Sequence, residues 1–333
     1  MKYAKIDLHL HLDGSLNMPW AWETAKKRGV VAPDCTFEEY YRIMHRTEFK
    51  SREERMTRFE FPIAIMQTRE DLAASIYHLI ATLAEKEVYY AEIRFAPQQH
   101  MKEGLTQKEV VEAVLSGMEQ AKKEFTEIEV GLINCMMHKG ENALVNWEEN
   151  VETIHVTKEF LGKGVVGLDL AGYENNGDFN LYAPLFEIAR ELEIPYTIHA
   201  GEMGDGSHVP MAIAMGAWRI GHGFNCVQKS EWMQEVVDKQ IPLEICLSGN
   251  TISSMNGFYG DHPVRQLLAA GVKVTLNTDN MTFVKTDLDN EYAQLRALGV
   301  SLEQLEQCAK NSIDAAFCSE EVKAKLRKKM GFV

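Results

Sequence analysis

At 333 residues the chain is too long for a small disulfide-stapled module, and 45% apolar and 25% charged residues exclude collagen-like, coiled-coil or largely disordered character. Its 49 acidic and 35 basic side chains leave a formal charge of −14, which repels phosphate backbones and makes nucleic acid an unexpected partner. No apolar run approaches the length needed to span a bilayer, so no membrane partner is expected either.

In chain order, short β-rich runs alternate with stretches of helical periodicity. A first strand is predicted over Tyr3–His9, followed by a long insertion over Asn17–Arg69 and a helix over Asp71–Lys86. The second and third strands, Val88–Phe95 and Glu129–Met136, are separated by a helix over Thr106–Phe125. A helix over Trp147–Leu161 leads to strand four, Val165–Leu170, and a helix over Leu181–Leu192 to strand five, Tyr196–His199. Then come helix Val209–Met215, strand Trp218–Gly221, helix Ser230–Lys239, strand Leu243–Leu247, helix His262–Ala270 and strand Lys273–Asn277. Near-continuous apolar strands alternating with helices describe a parallel sheet covered on both faces. Eight such units predict an α/β fold of the closed (β/α)8 TIM-barrel kind, as one domain over residues 1–333. The insertion after strand one and the helices after strand eight follow strand C-termini, so they are expected to cover the catalytic face. The basic stretch from Lys323 to Lys329 closes an amphipathic helix, where cations complement the helix dipole.

The N-terminal residues turn charged at once, so no signal peptide is expected. Cys35, Cys135, Cys226, Cys246, Cys308 and Cys318 are scattered, with no C-x-x-C pair. They read as small core residues in a reducing compartment, the cytoplasm.

The histidines carry the chemistry. His9 and His11 lie two apart at the end of strand one, and in an extended strand such residues point to the same side. Neutral imidazoles so placed form a two-point metal grip. His199 ends strand five, His222 follows strand six and Asp279 ends strand eight. All strand C-termini of a parallel barrel open onto one face, so these residues are expected to converge at one mouth. His45, His78, His100, His155, His208 and His262 fall in helical or loop contexts and read as structural or solvated, and His138 is left unassigned.

The segments Asp7-Leu-His-Leu-His-Leu-Asp-Gly-Ser15, Leu168-Asp-Leu-Ala-Gly172, His199-Ala-Gly-Glu202, Arg219-Ile-Gly-His-Gly223 and Leu276-Asn-Thr-Asp279 together resemble the adenosine deaminase family of the amidohydrolase superfamily. The resemblance spans strands one, four, five, six and eight. It implies one zinc ion per chain held by His9, His11, His199 and Asp279. It further implies that Glu202 handles the purine N1 proton and that His222 orients and deprotonates the attacking water. Asp13, with His11 beside it, matches contacts to the ribose hydroxyls, and Gly172 a contact to purine N3. The implied reaction is hydrolytic deamination of adenosine, and of 2′-deoxyadenosine, to inosine and ammonia, in purine salvage. Phe59, Phe61, Pro62, Ile65 and Met66 resemble an apolar gate over the purine, a pattern that ordinary helix packing also produces.

Two positions depart from the family pattern. Asn280 stands where many members carry an aspartate that bonds purine N7; N7 only accepts, and an asparagine NH₂ donates at any pH. Tyr173 follows Gly172 where an acidic residue is expected. Arg94 and Arg219 are expected to form structural ion pairs. Deamination of a modified adenine nucleoside such as aminodeoxyfutalosine, or of free adenine, is the nearest alternative; Asp13 favours a nucleoside. A two-metal hydrolase is disfavoured by the absence of a lysine in strand four. A non-catalytic purine-binding barrel is disfavoured by the complete set of ligands, acid and base.

Overall fold

The structure, a computed structural model, describes residues 5–45, 54, 56–139, 144–174, 178–203, 205–253 and 262–332. All eight predicted strands are present: β1 (Ile6–His11), β2 (Tyr90–Phe95), β3 (Glu129–His138), β4 (Val165–Gly172), β5 (Thr197–Ala200), β6 (Arg219–His222), β7 (Leu243–Ile245) and β8 (Val274–Leu276). Every pairing is parallel, in the orders β1-β2-β3-β4 and β5-β6-β7-β8.

The two runs meet at both seams. Leu168 bridges Tyr196, with Leu168 N–H donating to the Pro195 carbonyl at 3.0 Å. Leu10 bridges Asp279: His11 N–H donates to the Asp279 carbonyl and Asp279 N–H to the His9 carbonyl, both at 2.8 Å. The strand order therefore closes on itself, as a (β/α)8 barrel requires. The strands are buried along almost their whole length, which explains why they read as apolar runs without a polar face.

Helices Arg69–Glu85, Gln107–Glu124, Trp147–Phe160, Ala183–Glu191, His208–Ala214, Ser230–Asp238 and Val264–Ala269 occupy the predicted crossovers. Their starts move for local reasons. Thr106 caps its helix rather than beginning it, accepting from Glu109 N–H while the Glu109 side chain reaches back to the Thr106 N–H. Thr68 accepts from Asp71 N–H, so that helix begins at Arg69 rather than Asp71. Phe179–Tyr182 forms a separate 3₁₀ turn ahead of Ala183. Strands β1, β5 and β6 end one or two residues later than predicted, which puts His11 and His222 inside the barrel wall.

The insertion supplies helices Met18–Lys27 and Phe37–Met44 and a 3₁₀ turn Thr57–Phe59 that runs into helix Glu60–Ile65. Its residues 46–53 and 55 lie outside the described residues, as do Tyr3 and Ala4 of the predicted first strand and Val333. The basic C-terminal helix is spent on ion pairs, Lys325 with Glu129, Lys329 with Glu127 and Arg327 with Asp314. Among the described residues no helix is long and apolar enough to cross a membrane.

Candidate active site and metal centre

The C-terminal ends of the strands surround a cavity of about 810 Å³, within the range of small-molecule sites. His11, Asp13, Gly172, His199, Glu202, His222, Asp279 and Asn280 all line it. His9 lies beneath them, fully buried. The structure thus brings together every residue that the resemblance assigns to metal, catalysis or substrate contact.

The three imidazoles of His9, His11 and His199 place ligand atoms within 4.8 Å of one another. His11 Nε2 is 3.3 Å from His199 Nε2. Asp279 Oδ1 is 3.5 Å from His11 Nε2 and 3.7 Å from His9 Nε2. Two ligands about 2.0–2.1 Å from one tetrahedral zinc would be roughly 3.4 Å apart, so the spacing fits. His9 Nε2 is buried with no hydrogen-bond partner among the described residues, an orphan that a metal would satisfy. Burial holds His9 and His11 well below the ordinary histidine range, keeping both neutral as ligands must be.

The far nitrogens are held by acids. His9 Nδ1 meets Glu244 Oε2 at 2.7 Å, and His199 Nδ1 meets Asp169 Oδ2 at 2.9 Å. Each carboxylate accepts a hydrogen bond from Nδ1–H, which fixes the tautomer and leaves Nε2 free to face the centre. Neither acid was identified from the sequence. The available signal was a carboxylate inside a strand otherwise buried and apolar, since such a charge must be paired. Arg94 joins the two acids, bonding Asp169 at 2.8 Å and Glu244 at 2.9 Å, and Arg219 bonds Glu244 and Glu92, each at 2.6 Å. Both arginines are fully buried and occupy structural ion pairs, as expected.

His9, His222 and Cys246 form a second compact group of potential ligands. Burial pushes the Cys246 thiol well up, and nearby Asp279 and Asp7 push it further. A neutral thiol is a poor ligand, and the group shares His9 with the first.

His222 ends β6, whereas Asp279 lies three residues beyond the end of β8 rather than ending it; both have left-handed backbone, φ 63° and 61°. For non-glycine residues this costs roughly 1–2 kcal/mol each and concentrates at functional sites. Gly221 leaves room for His9 and His199: a Cβ there would lie 3.1 Å from His9 Cε1 and 3.3 Å from His199 Cα.

Glu202 Oε2 stands 3.8 Å from His222 Nε2. His222 Nδ1 lies 2.9 Å from the NH₂ of Asn250, whose own Oδ1 accepts from Cys246 N–H at 3.2 Å. That backbone donor fixes the amide, so Nδ1 of His222 accepts and a neutral ring carries its proton on Nε2. His262, 3.3 Å from the same Oδ1, is a buried partner of this arrangement rather than a solvated loop residue. Burial raises the Asp279 carboxyl above its usual range, against the pull of His222. Asp13 is likewise raised by burial, to about 7. The Asn280 side chain bonds the Asp279 carboxylate, and its Oδ1 packs on Gly14, where a Cβ would come within 1.7 Å.

The apolar segment predicted as a gate divides. Phe59 lines the cavity and meets Phe283 at 4.9 Å between ring centres. Ile65 and Met66 are fully buried in the core, Pro62 is buried in its helix, and Phe61 packs half-buried against the core, so none of the four lines the cavity. Tyr173 lines the cavity, and the acidic residue expected in its place comes one position later, at Glu174, which bonds the loop carrying Glu202.

The adenosine deaminase family model matches residues 4–331. An adenosine deaminase of Haemophilus ducreyi is 37% identical over 98% of this chain and 95% of its own length. Among solved structures, an Arabidopsis N6-mAMP deaminase superposes with a TM-score of 0.84 at 27% identity, covering 99% of this chain and 98% of the other. An adenine deaminase of Arthrobacter aurescens shares the fold with a TM-score of 0.87 at 24% identity, over 99% of both chains. With the match running nearly end to end and the motif residues gathered at one mouth, the chain belongs to the adenosine deaminase family.

Proposed function

We propose that the protein, acting as one unit over its whole length, hydrolyses adenosine and 2′-deoxyadenosine to inosine or deoxyinosine and ammonia, with one zinc ion per chain. One observation carries the reading: three imidazole Nε2 atoms and the Asp279 carboxylate cluster beside a cavity whose wall presents Glu202 3.8 Å from His222. His9, His11, His199 and Asp279 would hold the zinc, which would supply a Lewis acid able to make water lose a proton near neutrality.

The chain's own residues do the rest. C6 of the purine resists attack while the ring keeps its aromaticity, and Glu202 lowers that resistance by giving a proton to N1. His222, with its proton on Nε2 and Nδ1 bonded to Asn250, donates toward the attacking water and orients it. This supports the orienting part of the expected role and leaves Asp279, whose carboxylate lines the same cavity 3.5 Å from His11 Nε2, as the group that takes the water's proton. Asp279 then returns that proton to the departing amine, and as ammonia leaves with the C6–N electron pair the C6 hydroxyl gives its proton back to Glu202, so that C6 ends as a carbonyl and N1 keeps its hydrogen. Asp13 at the cavity wall suits ribose hydroxyls and favours a nucleoside over free adenine. Six free cysteines agree with a cytoplasmic protein.

The direct test follows the ultraviolet change on deamination with adenosine, 2′-deoxyadenosine, AMP, aminodeoxyfutalosine and adenine as substrates. Adenosine is expected to give the highest kcat/KM; a clear preference for adenine or AMP would remove the reading. Metal analysis is expected to find one tightly bound ion per chain, and two would contradict the four-ligand assignment. His199→Ala should lose metal and activity together, whereas an active, metal-replete variant would place the centre elsewhere.

Asn280 keeps a second N–H that can serve N7. Replacing N7 by carbon, as in 7-deazaadenosine, leaves that donor unpaired at about 1–3 kcal/mol, roughly ten- to a hundredfold in kcat/KM. The penalty should shrink markedly in Asn280→Ala, as a double-mutant cycle requires of a real contact. An unchanged penalty would show that Asn280 does not touch N7.

A further inference from the structure

Glu202 stands on a loop, and its position depends on what holds that loop. Strand β5 ends at Ala200 and the chain turns at Gly201, φ 71°, where a Cβ would come within 2.6 Å of Val209 Cγ2. The next three backbone N–H groups converge on one side chain. Glu174 Oε1 accepts from Gly201 N–H, and Oε2 accepts from Glu202 and Met203 N–H, each at 2.9 Å. Oε1 also meets His208 Nδ1 at 2.7 Å, and that ring stacks on Phe179 with centres 4.5 Å apart and planes 9° apart. The Glu174 side chain is 2% exposed. A carboxylate has about four acceptor positions, and here four donors fill them.

Glu174 also lies two residues beyond Gly172, the last residue of β4 and the proposed N3 contact. One short segment therefore carries the main chain proposed to read one side of the purine and the carboxylate that anchors the loop proposed to serve the other. We infer that Glu174 is the positioning residue for Glu202: it locks residues 201–203 to the end of β4, so that the acid and the purine contact keep a fixed separation. The inference rests on Glu202 acting as the acid. It predicts a defect in catalysis rather than in substrate affinity, because a misplaced acid is felt when N1 takes the proton.

Glutamine at this position keeps the size but turns an NH₂ toward N–H donors, so at least two of the four bonds are lost. The experiment compares the wild-type, Glu174→Gln, Glu202→Gln and doubly substituted holoenzymes, by steady-state kinetics with adenosine and by hydrogen exchange of the 201–203 amides. Glu174→Gln is expected to speed exchange at those three amides. It should lower kcat on the order of 10²-fold, as misplacement by about an ångström does, with KM much less changed. In the Glu202→Gln background the same change should cost no more than about twofold, since the group it positions is already gone. Glu174→Asp, which keeps both acceptor oxygens, should recover part of kcat.

Wild-type exchange at the three amides, wild-type kcat, or an equal fold-loss in both backgrounds would overturn the inference; the last would reduce Glu174 to holding the fold. Nearly full activity of Glu202→Gln alone would overturn the assignment of the acid itself, a separate result. Should Glu174→Gln fail to fold, His208→Phe removes one donor and keeps the stack on Phe179. It should then speed 201–203 exchange and lower kcat in the Glu202 background only, and no change in either would equally overturn the inference.

Discussion

Glu202→Gln is expected to lower kcat for adenosine by about 10²–10⁴-fold, the range for losing a general acid, with metal content unchanged. The substitution preserves side-chain volume and lies outside the four proposed ligands, so the centre has no reason to empty. It removes the transferable proton, and N1 then keeps the ring aromatic at the moment C6 must accept water. His222 cannot substitute, because its Nε2 proton is directed by the Asn250 bond at Nδ1 and Glu202 Oε2 is already 3.8 Å away. Binding should suffer far less than turnover, since a glutamine can still bond to a purine edge. Metal analysis and kinetics on one preparation decide the matter. Activity within a few-fold of wild type would take Glu202 out of the mechanism; loss of metal alongside activity would make it a structural support of the centre.

Much of this site is legible in the sequence because strand geometry is local. His9 and His11 share a side through the period of two, and the (β/α)8 order brings His199, His222 and Asp279 to the same end. The supports are illegible for the complementary reason. Asp169 and Glu244 are visible as acids within buried strands, but which histidine each meets depends on barrel closure, through the seams at Leu168–Tyr196 and Leu10–Asp279. Glu174 is less visible still. Three of its four donors are backbone N–H groups, which carry no residue signature, and it lies one position beyond Tyr173, where the acidic residue is expected. The gate segment shows the limit of periodicity: an apolar helical stripe does not reveal that Phe59 faces a cavity while Ile65 and Met66 face the core. Helix starts moved by one or two residues where a threonine side chain turned back to cap the first turn.

Glu244→Gln is expected to destabilise the fold by about 3–5 kcal/mol, the cost of breaking a buried ion pair from one side, and to weaken metal binding by about 10–100-fold, as loss of a ligand's outer partner does. Glu244 is fully buried in β7 and, like Glu174, takes four donors. His9 Nδ1 and Arg94 Nη2 meet Oε2, at 2.7 and 2.9 Å, while Arg219 Nε at 2.6 Å and the Thr197 hydroxyl at 3.0 Å donate to Oε1. A glutamine can serve at most two of these and turns its own N–H groups on the others. Burial alone would raise this carboxyl, but the Arg94 and Arg219 guanidiniums outweigh it and hold it down at about 2, against an ordinary 4.5. A depressed carboxyl contributes stability that is present above pH 4.5 and lost as pH falls toward 2. The metal-free variant should therefore unfold at lower denaturant concentration near neutral pH, and its stability should fall less steeply than the wild type's between pH 4.5 and 2. Glu202→Gln, tested alongside, should show neither effect. Against a total stability of about 5–15 kcal/mol the predicted loss is large, so a measured loss below about 1 kcal/mol would show that the barrel interior rearranges to satisfy both arginines and His9 without Glu244.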